Sequence, residues 1–148
     1  MNGTHADLLQ EYLALWADAS PSRDLSKLDQ LTTADICFKD PINDVTGRDA
    51  LKEIFRDAAA AISDQRVDIL GIGWVGTQRA FVKWHYSGRL RRLGGRAWAV
   101  SGMSDMVLSS EGLVMSHEDH WDLAGGLYAY FPVLGWLLRR LRERLRLH

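Results

Sequence analysis

A chain of 148 residues, 47% of them hydrophobic, can bury one core without disulfides or a structural metal, so we expect a single domain over residues 1–148. Residues 139–148 hold five arginines against one glutamate, a formal +4, which leaves −5 for the remainder of a chain of net charge −1. An acidic body with a short basic tail lacks the basic surface of a nucleic-acid binder, and that class is excluded.

The residues also indicate the compartment. The first residues are polar, which predicts no signal peptide, and no apolar run is long enough to span a bilayer. The single cysteine, Cys37, lies in an apolar segment, which predicts a buried structural thiol in a reducing compartment. We therefore expect a cytoplasmic protein.

The first part of the chain is predicted to be mainly helical. Apolar residues recur at helical spacing in residues 5–19, which indicates an amphipathic helix with Tyr12 on its buried face. A second, short helix follows Asp24, and a third begins near Asp49. Between them, residues 36–40 form a short strand that ends at Asp40, after which Pro41 fixes an extended exit.

From Arg66 the apolar period changes to two, which predicts strands at residues 66–75, 79–91, 96–108 and 113–122. The turns between them are short and therefore demand antiparallel neighbours. Helices before such a meander predict an α+β domain, with the helices gathered on one face of a curved antiparallel sheet. Glycines inside the strands are expected to supply the curvature, at Gly71, Gly73, Gly88 and Gly102.

Residues 124–148 are predicted to form an apolar and basic helical extension. Leucines make a stripe at helical spacing and arginines largely occupy the other faces, so this C-terminal helix is amphipathic. Packing over the mouth of the cavity or on a second subunit is the favoured interpretation. Attachment of residues 134–148 to an anionic membrane surface is the less favoured alternative.

Three polar residues suggest a site. Asp40 ends a strand, where a cavity mouth would lie, although an Asp-Pro pair also commonly starts a turn. On the last strand His117 and Asp119 share one face, together with Met115 and Trp121, and can form an acid–base pair or a structural ion pair. Alternation sends their polar neighbours to the opposite face, so no metal site is expected.

The helix order, Asp40-Pro41 before Thr46-Gly47-Arg48-Asp49-Ala50-Leu51, and the closing run His117-Glu118-Asp119-His120-Trp121-Asp122 resemble a known family. It is the SnoaL-like and ketosteroid isomerase-like family of the nuclear transport factor two fold superfamily, and the resemblance covers about residues 6–135. It implies a cone-shaped α+β fold and a homodimer through the outer face of the sheet. The fold hosts isomerases, cyclases, hydrolases and non-enzymatic binders, so it leaves the function open.

Three positions are similar to ketosteroid isomerase. Tyr12 falls where that family has its oxyanion-hole tyrosine, Asp40 where it has its general base, and Asp105 on its second oxyanion-hole donor. Asp105 can donate only when an apolar setting keeps it protonated. Phe55 replaces a tyrosine that supports the catalytic one in that family, and His117 adds polarity that a steroid pocket would not have.

Limonene epoxide hydrolase is similar at Asp119. That family also needs an arginine and a second aspartate where this chain has Trp84 and Tyr86, so epoxide hydrolysis is disfavoured. We expect an apolar, aromatic-lined pocket whose lining side chains are Phe38, Phe55, Trp84, Tyr86, Met103 and Trp121.

The favoured function is acid–base chemistry, without a cofactor, on a small apolar compound that carries a carbonyl group. The reaction would be an isomerisation or an aldol-type cyclisation, with Asp40 or Asp119 as the base. Tyr12, Asp105 and His117 would polarise the substrate or donate protons. A non-catalytic ligand-binding module and an interaction protein that acts through the basic C-terminal helix remain the alternatives.

Overall fold

The computed structural model describes residues 3–147 and places helices before and after one curved sheet. The first helices are α1 (Gly3–Ala17), α2 (Leu28–Leu31), which follows a 3-10 turn at Leu25–Lys27, and α3 (Arg48–Ala61). The strands are β1 (Thr32–Lys39), β2 (Asp44–Thr46), β3 (Ile62–Val75), β4 (Arg79–Leu90), β5 (Arg96–Leu108) and β6 (Val114–His120). The last helices are α4 (Leu123–Gly126) and α5 (Pro132–Leu145).

The six strands form one open sheet in the order β2-β1-β6-β5-β4-β3. Its neighbouring strands are antiparallel except β1 and β6, which run parallel. The predicted α+β class and the meander of the last four strands are confirmed. The strand β2 was not predicted, because a strand of three residues is too short to show a period of two. The parallel pairing of β1 with β6 was not predicted either, because the two strands lie far apart in the chain.

Irregular pairing bends the sheet. The register of β3 against β4 shifts between Ile69 and Gly71, and that of β5 against β6 shifts after Val107. Such bulges increase local twist and curvature. At the second shift Met115 is bulged out and pairs with no residue of β5, and its side chain is exposed. The expectation that Met115 shares the face of the buried His117 is therefore wrong.

The concave face of the sheet packs against α1 and α3, and alternation along the strands decides what is buried. On β5 the even-numbered residues from Trp98 to Leu108 are buried, whereas Ala97, Ala99, Ser101 and Met103 are exposed. Phe55 on α3 is fully buried, and burying such a side chain contributes about 1.5–3 kcal/mol. The core therefore lies between this face and the helices.

Cys37 belongs to the outer face. It lies on β1 between the buried Ile36 and Phe38, so the pleat turns its side chain outward. The thiol is exposed and approaches the hydroxyl of Thr46 at 3.9 Å. The expectation of a buried structural thiol is therefore wrong.

Candidate functional site

Five side chains form a hydrogen-bonded row on the concave face, which we call the Asp119 network. The Tyr12 hydroxyl lies 2.8 Å from Nδ1 of His117, and Nε2 of His117 lies 2.7 Å from Oδ1 of Asp119. Ser104 donates from its hydroxyl to the same Oδ1. The indole N–H of Trp84 donates to the Ser104 oxygen at 2.8 Å.

The direction of each bond follows from what each group can do. An indole N–H only donates, so Ser104 accepts from Trp84 and gives its own proton to Asp119. Oδ1 of an ionised Asp119 accepts a second proton from Nε2 of His117. Nδ1 of the neutral imidazole then accepts from the Tyr12 hydroxyl. These directions are the ones that a neutral His117 beside an ionised Asp119 would adopt, whereas a protonated His117 would donate from Nδ1 to the Tyr12 oxygen.

Tyr12 is suited to the donor role. Its side chain is completely buried at the core-facing side of α1, and burial raises the pKa of the phenol, with the Asp119 charge adding to the effect. The hydroxyl therefore keeps its proton. Because the hydroxyl is completely buried and in contact with His117, Tyr12 does not present a free donor to a ligand, as an oxyanion-hole tyrosine would.

Aromatic rings hold the imidazole of His117 in place. The ring centroids of Phe38, Trp16 and Tyr12 lie 4.9, 5.4 and 5.7 Å from that of His117, and all three contacts are edge-to-face. Only 3% of His117 is exposed. Packing on several sides fixes the plane of the ring, so both nitrogens point along the network.

Gly102 makes room for the other end of the network. It pairs with Trp84 across β4 and β5, and a Cβ at this position would come within 2.4 Å of the indole ring. Ser104 follows two residues later on the same face and receives the indole N–H. Sequence reasoning missed Ser104. Its signal was a polar residue in phase with the buried Val100 and Met106.

Asp119 also lines a groove at the edge of the sheet. Because β1 and β6 run parallel, their carboxyl ends meet there, and they enclose a cavity of about 250 Å³. Oδ2 of Asp119 has no hydrogen-bond partner among the described residues, so it is the oxygen available to a ligand. The lining residues are Lys39, Asp40, Pro41, Glu118, Asp119, His120 and Trp121.

Asp40 lines this groove, but its carboxylate is engaged in a turn. Oδ1 accepts from the backbone N–H of Ile42 at 2.7 Å and of Asn43 at 2.6 Å, and the Asn43 amide lies 3.0 Å from Oδ2. These bonds hold the loop between β1 and β2. The geometry matches the turn interpretation of the Asp-Pro pair.

Asp105 and Met103 lie on the outer face of the sheet, away from the network. They alternate with the inward-facing Ser104, and the Arg79 guanidinium donates to both carboxylate oxygens of Asp105. Met103 is 43% exposed. The expectation that these two residues share a cavity with Tyr12 is wrong, because the pleat turns them outward and Asp105 serves as an acceptor rather than a donor.

The remaining aromatic residues fill the interior more than they line a space. Phe38, Phe55 and Trp84 are buried, and Trp16 stacks on Phe55 with ring centroids 3.9 Å apart. Tyr86 donates to Gln65 at 2.6 Å, and burial raises the pKa of Tyr86. Of the six predicted lining residues, Trp121 is the one that borders the groove beside Asp119.

A larger cavity of about 490 Å³ lies between Tyr130 and the end of the hairpin formed by β4 and β5. Its charged residues are Arg89 and Asp64, whose exposed side chains face each other at 3.6 Å. Such a solvent-screened pair contributes little to stability. Within residues 3–147, no three His, Cys, Asp or Glu side chains converge to hold a metal ion.

Solved structures share this fold at low sequence identity. A SnoaL-like polyketide cyclase candidate from Jannaschia sp. CCS1 is 13% identical, with a TM-score of 0.70 over 84% of this chain and 92% of that one. TsrD from Streptomyces laurentii is 21% identical, with a TM-score of 0.69 over 91% and 97%. A Catenulispora acidiphila protein with a ketosteroid isomerase-like fold, solved with trimethylamine, is 22% identical, with a TM-score of 0.66 over 78% and 88%.

No curated protein matches the chain. The model of the SnoaL-like domain family matches residues 9–117, a range that runs from within α1 through β1–β5 to His117 in β6. The match therefore spans well over half of the 148 residues. The chain belongs to the SnoaL-like domain family.

Proposed function

We propose that the chain is a cofactor-independent acid–base enzyme that catalyses an aldol-type cyclisation of a small apolar polycarbonyl compound, with Asp119 as the general base. The observation that carries this proposal is the Asp119 network, in which two donors hold Oδ1 while Oδ2 has no partner among the described residues and Asp119 lines a groove. A carboxylate fixed in this way is oriented before substrate arrives.

The proton balance is simple. Oδ2 of Asp119 takes a proton from the carbon beside one carbonyl, and the C–H electrons form an enolate that attacks a second carbonyl of the same molecule. The resulting alkoxide recovers the proton from Asp119. Lys39 and His120 line the same groove and are the groups that can donate to the developing oxyanion.

His117 acts as a positioning residue in this scheme. It is buried, both of its nitrogens are engaged, and it reaches the substrate only through Asp119. Ser104 and Tyr12 complete the alignment from either end. Cyclisation is favoured over ketosteroid-type isomerisation because Asp40 holds a turn, Tyr12 is committed to His117 and Asp105 faces outward.

The experiment compares wild type with Asp119→Asn and Asp40→Asn on two substrate types. One is an acyclic diketone whose cyclic β-hydroxy ketone product loses water to give a conjugated enone, and the other is a β,γ-unsaturated ketone that isomerises to a conjugated one, with the conjugated product followed by absorbance. We expect Asp119→Asn to lower kcat by about 10²–10⁴-fold with KM nearly unchanged, because a general base acts in the transition state. Asp40→Asn should keep kcat within about threefold of wild type if the fold is intact.

Loss of turnover in Asp40→Asn with normal circular dichroism would assign the base to Asp40 instead. Absence of turnover on both substrates, together with binding of the diketone that Asp119→Asn does not weaken, would support the alternative of a non-catalytic binding module. Ser104→Ala provides a graded control, since it removes one of the two donors to Oδ1 while leaving Asp119 charged.

A further inference from the structure

Helix α5 carries a ridge of apolar side chains that the rest of the described chain leaves exposed. Val133, Leu137, Leu141 and Leu145 follow at intervals of four residues and so form one continuous row, which we call the α5 ridge. Their exposed fractions are 80%, 54%, 50% and 69%. A contiguous apolar surface left in water by folding marks a site that binds another apolar phase.

Arginines border the α5 ridge on both sides. At 100° per residue, Arg140 and Arg144 form the neighbouring row on one side, whereas Arg142, on the other side, lies 3.4 Å from the Asp122 carboxylate of the domain. Glu143 is the one acidic residue among residues 139–148. An apolar stripe beside a row of cationic side chains is the pattern of a helix that lies in the surface of an anionic bilayer.

The first turns of α5 are attached to the domain, so the ridge is preformed. Gly135 packs so closely on Ala129 that a Cβ would lie 2.4 Å from the Ala129 carbonyl oxygen. Arg96 donates to the carbonyl of Tyr130 at 2.9 Å, just before the helix. Because the helix is ordered before it meets a partner, binding does not carry the full entropic cost of folding a disordered tail.

The length and charge of α5 narrow the kinds of partner that its apolar ridge can bind. Its 14 residues extend about 21 Å, short of a hydrocarbon core of about 30 Å. Among the described residues, no helix is long and apolar enough to cross a membrane. Pairing two α5 ridges face to face would bring the arginines of both copies together, which like-charge repulsion disfavours.

We propose that α5 docks the protein on bilayers that contain anionic lipid headgroups. The α5 ridge enters the boundary of the acyl chains, while Arg140 and Arg144 extend to the headgroups. The rest of the chain carries a formal −5 and is repelled by the same surface, so the helix is the part that approaches. This docking does not depend on the chemistry proposed for Asp119.

The test is flotation of the full chain with vesicles of phosphatidylcholine alone or with about a third phosphatidylglycerol. We expect binding to the anionic vesicles to be at least about tenfold tighter than to the neutral ones, and to weaken as salt shortens the screening length. Leu137→Gln with Leu141→Gln should weaken binding to anionic vesicles by at least about tenfold, because both side chains would enter the membrane.

Matched controls use exposed residues elsewhere. Ile42→Gln with Leu70→Gln replaces apolar residues that are 59% and 61% exposed, and should leave vesicle binding unchanged. If this control weakened vesicle binding as much as the α5 ridge variant does, general surface hydrophobicity would be responsible, and the proposal would be overturned.

A second pair of variants tests the contribution of the arginines in the same way. Arg140→Gln with Arg144→Gln should bind anionic vesicles more weakly, whereas Arg91→Gln with Arg92→Gln, two exposed arginines outside α5, should bind as wild type does. Failure of the wild type to float with anionic vesicles would overturn the proposal. Light scattering without lipid provides a second test. If the wild type is a dimer and the α5 ridge variant is a monomer, the ridge binds a second copy of the chain, and the proposal is overturned.

Discussion

His117 and Asp119 show how a charge is accommodated near a core. Oδ1 of Asp119 receives protons from His117 and Ser104, while the other oxygen borders a groove, so the carboxylate is not stranded in an apolar setting. Removing one partner would leave a buried group unpaired, which typically costs about 1–3 kcal/mol. The same bonds that stabilise the pair also orient the free oxygen.

Tyr12 gives this residue-scale argument a pH dependence. Burial raises the pKa of Tyr12 above its ordinary value of 10.0, so above that pH the unfolded chain loses a proton that the folded chain keeps. The free energy of unfolding should therefore hold below about pH 10 and fall by about 1.4 kcal/mol per pH unit above it for this group. Tyr12→Phe should be less stable at pH 8 but should decline less steeply from pH 10 upward.

Urea unfolding at a series of pH values around 10 measures the effect. Burial also raises the pKa of Tyr86, so Tyr86→Phe should flatten the decline in the same sense. A Tyr12→Phe variant with the slope of wild type would contradict the assignment of Tyr12 as a buried, protonated donor.

At the scale of elements, β5 is the strand that decides what faces the site. Its alternation turns Ser104 inward and Asp105 outward, although the two are neighbours in sequence. Gly102, two residues earlier, allows Trp84 to cross the strand and reach Ser104. The strand β5 thus supplies one donor of the network, Ser104, and through Gly102 the space for a second donor, Trp84.

Gly102→Ala should therefore disturb the network. The added Cβ would meet the Trp84 ring at 2.4 Å and the carbonyl of His120 at 2.9 Å, so we expect a loss of stability of about 1–3 kcal/mol from overpacking. Gly73→Ala is the matched control, because its Cβ would meet nothing within 4 Å, and it should cost less than about 0.5 kcal/mol. Equal unfolding midpoints in urea for the two variants would rule out the close approach.

At the scale of the whole molecule, charge and packing are both unevenly distributed. The body of the chain is acidic and encloses the hydrophobic core, whereas α5 is basic. Within α5, the one residue that is buried is Gly135. Few buried contacts allow an element to open without unfolding the rest. We therefore expect α5 to open more readily than the rest of the domain.

Hydrogen exchange of the intact chain should reveal this difference. Amides of residues 137–145 should exchange faster than those of β4 and β5, because local opening of α5 costs less than opening the centre of the sheet. Mass spectrometry of peptic fragments provides the measurement. Protection of α5 equal to that of β5, in the absence of lipid, would mean that the helix is covered and that the α5 ridge is not free.

The sequence by itself determined the class of the fold, most of the strands and the amphipathic tail, because these depend on periods of two or 3.6 residues that are visible locally. It also identified Tyr12, His117 and Asp119 as residues of interest. Three outcomes needed the tertiary structure: Asp40 held in a turn, Asp105 paired outward with Arg79, and Ser104 inside the network. The reason is physical, since the register of strands, the bulge after Val107 and the partner of each polar group are set between segments far apart in the chain.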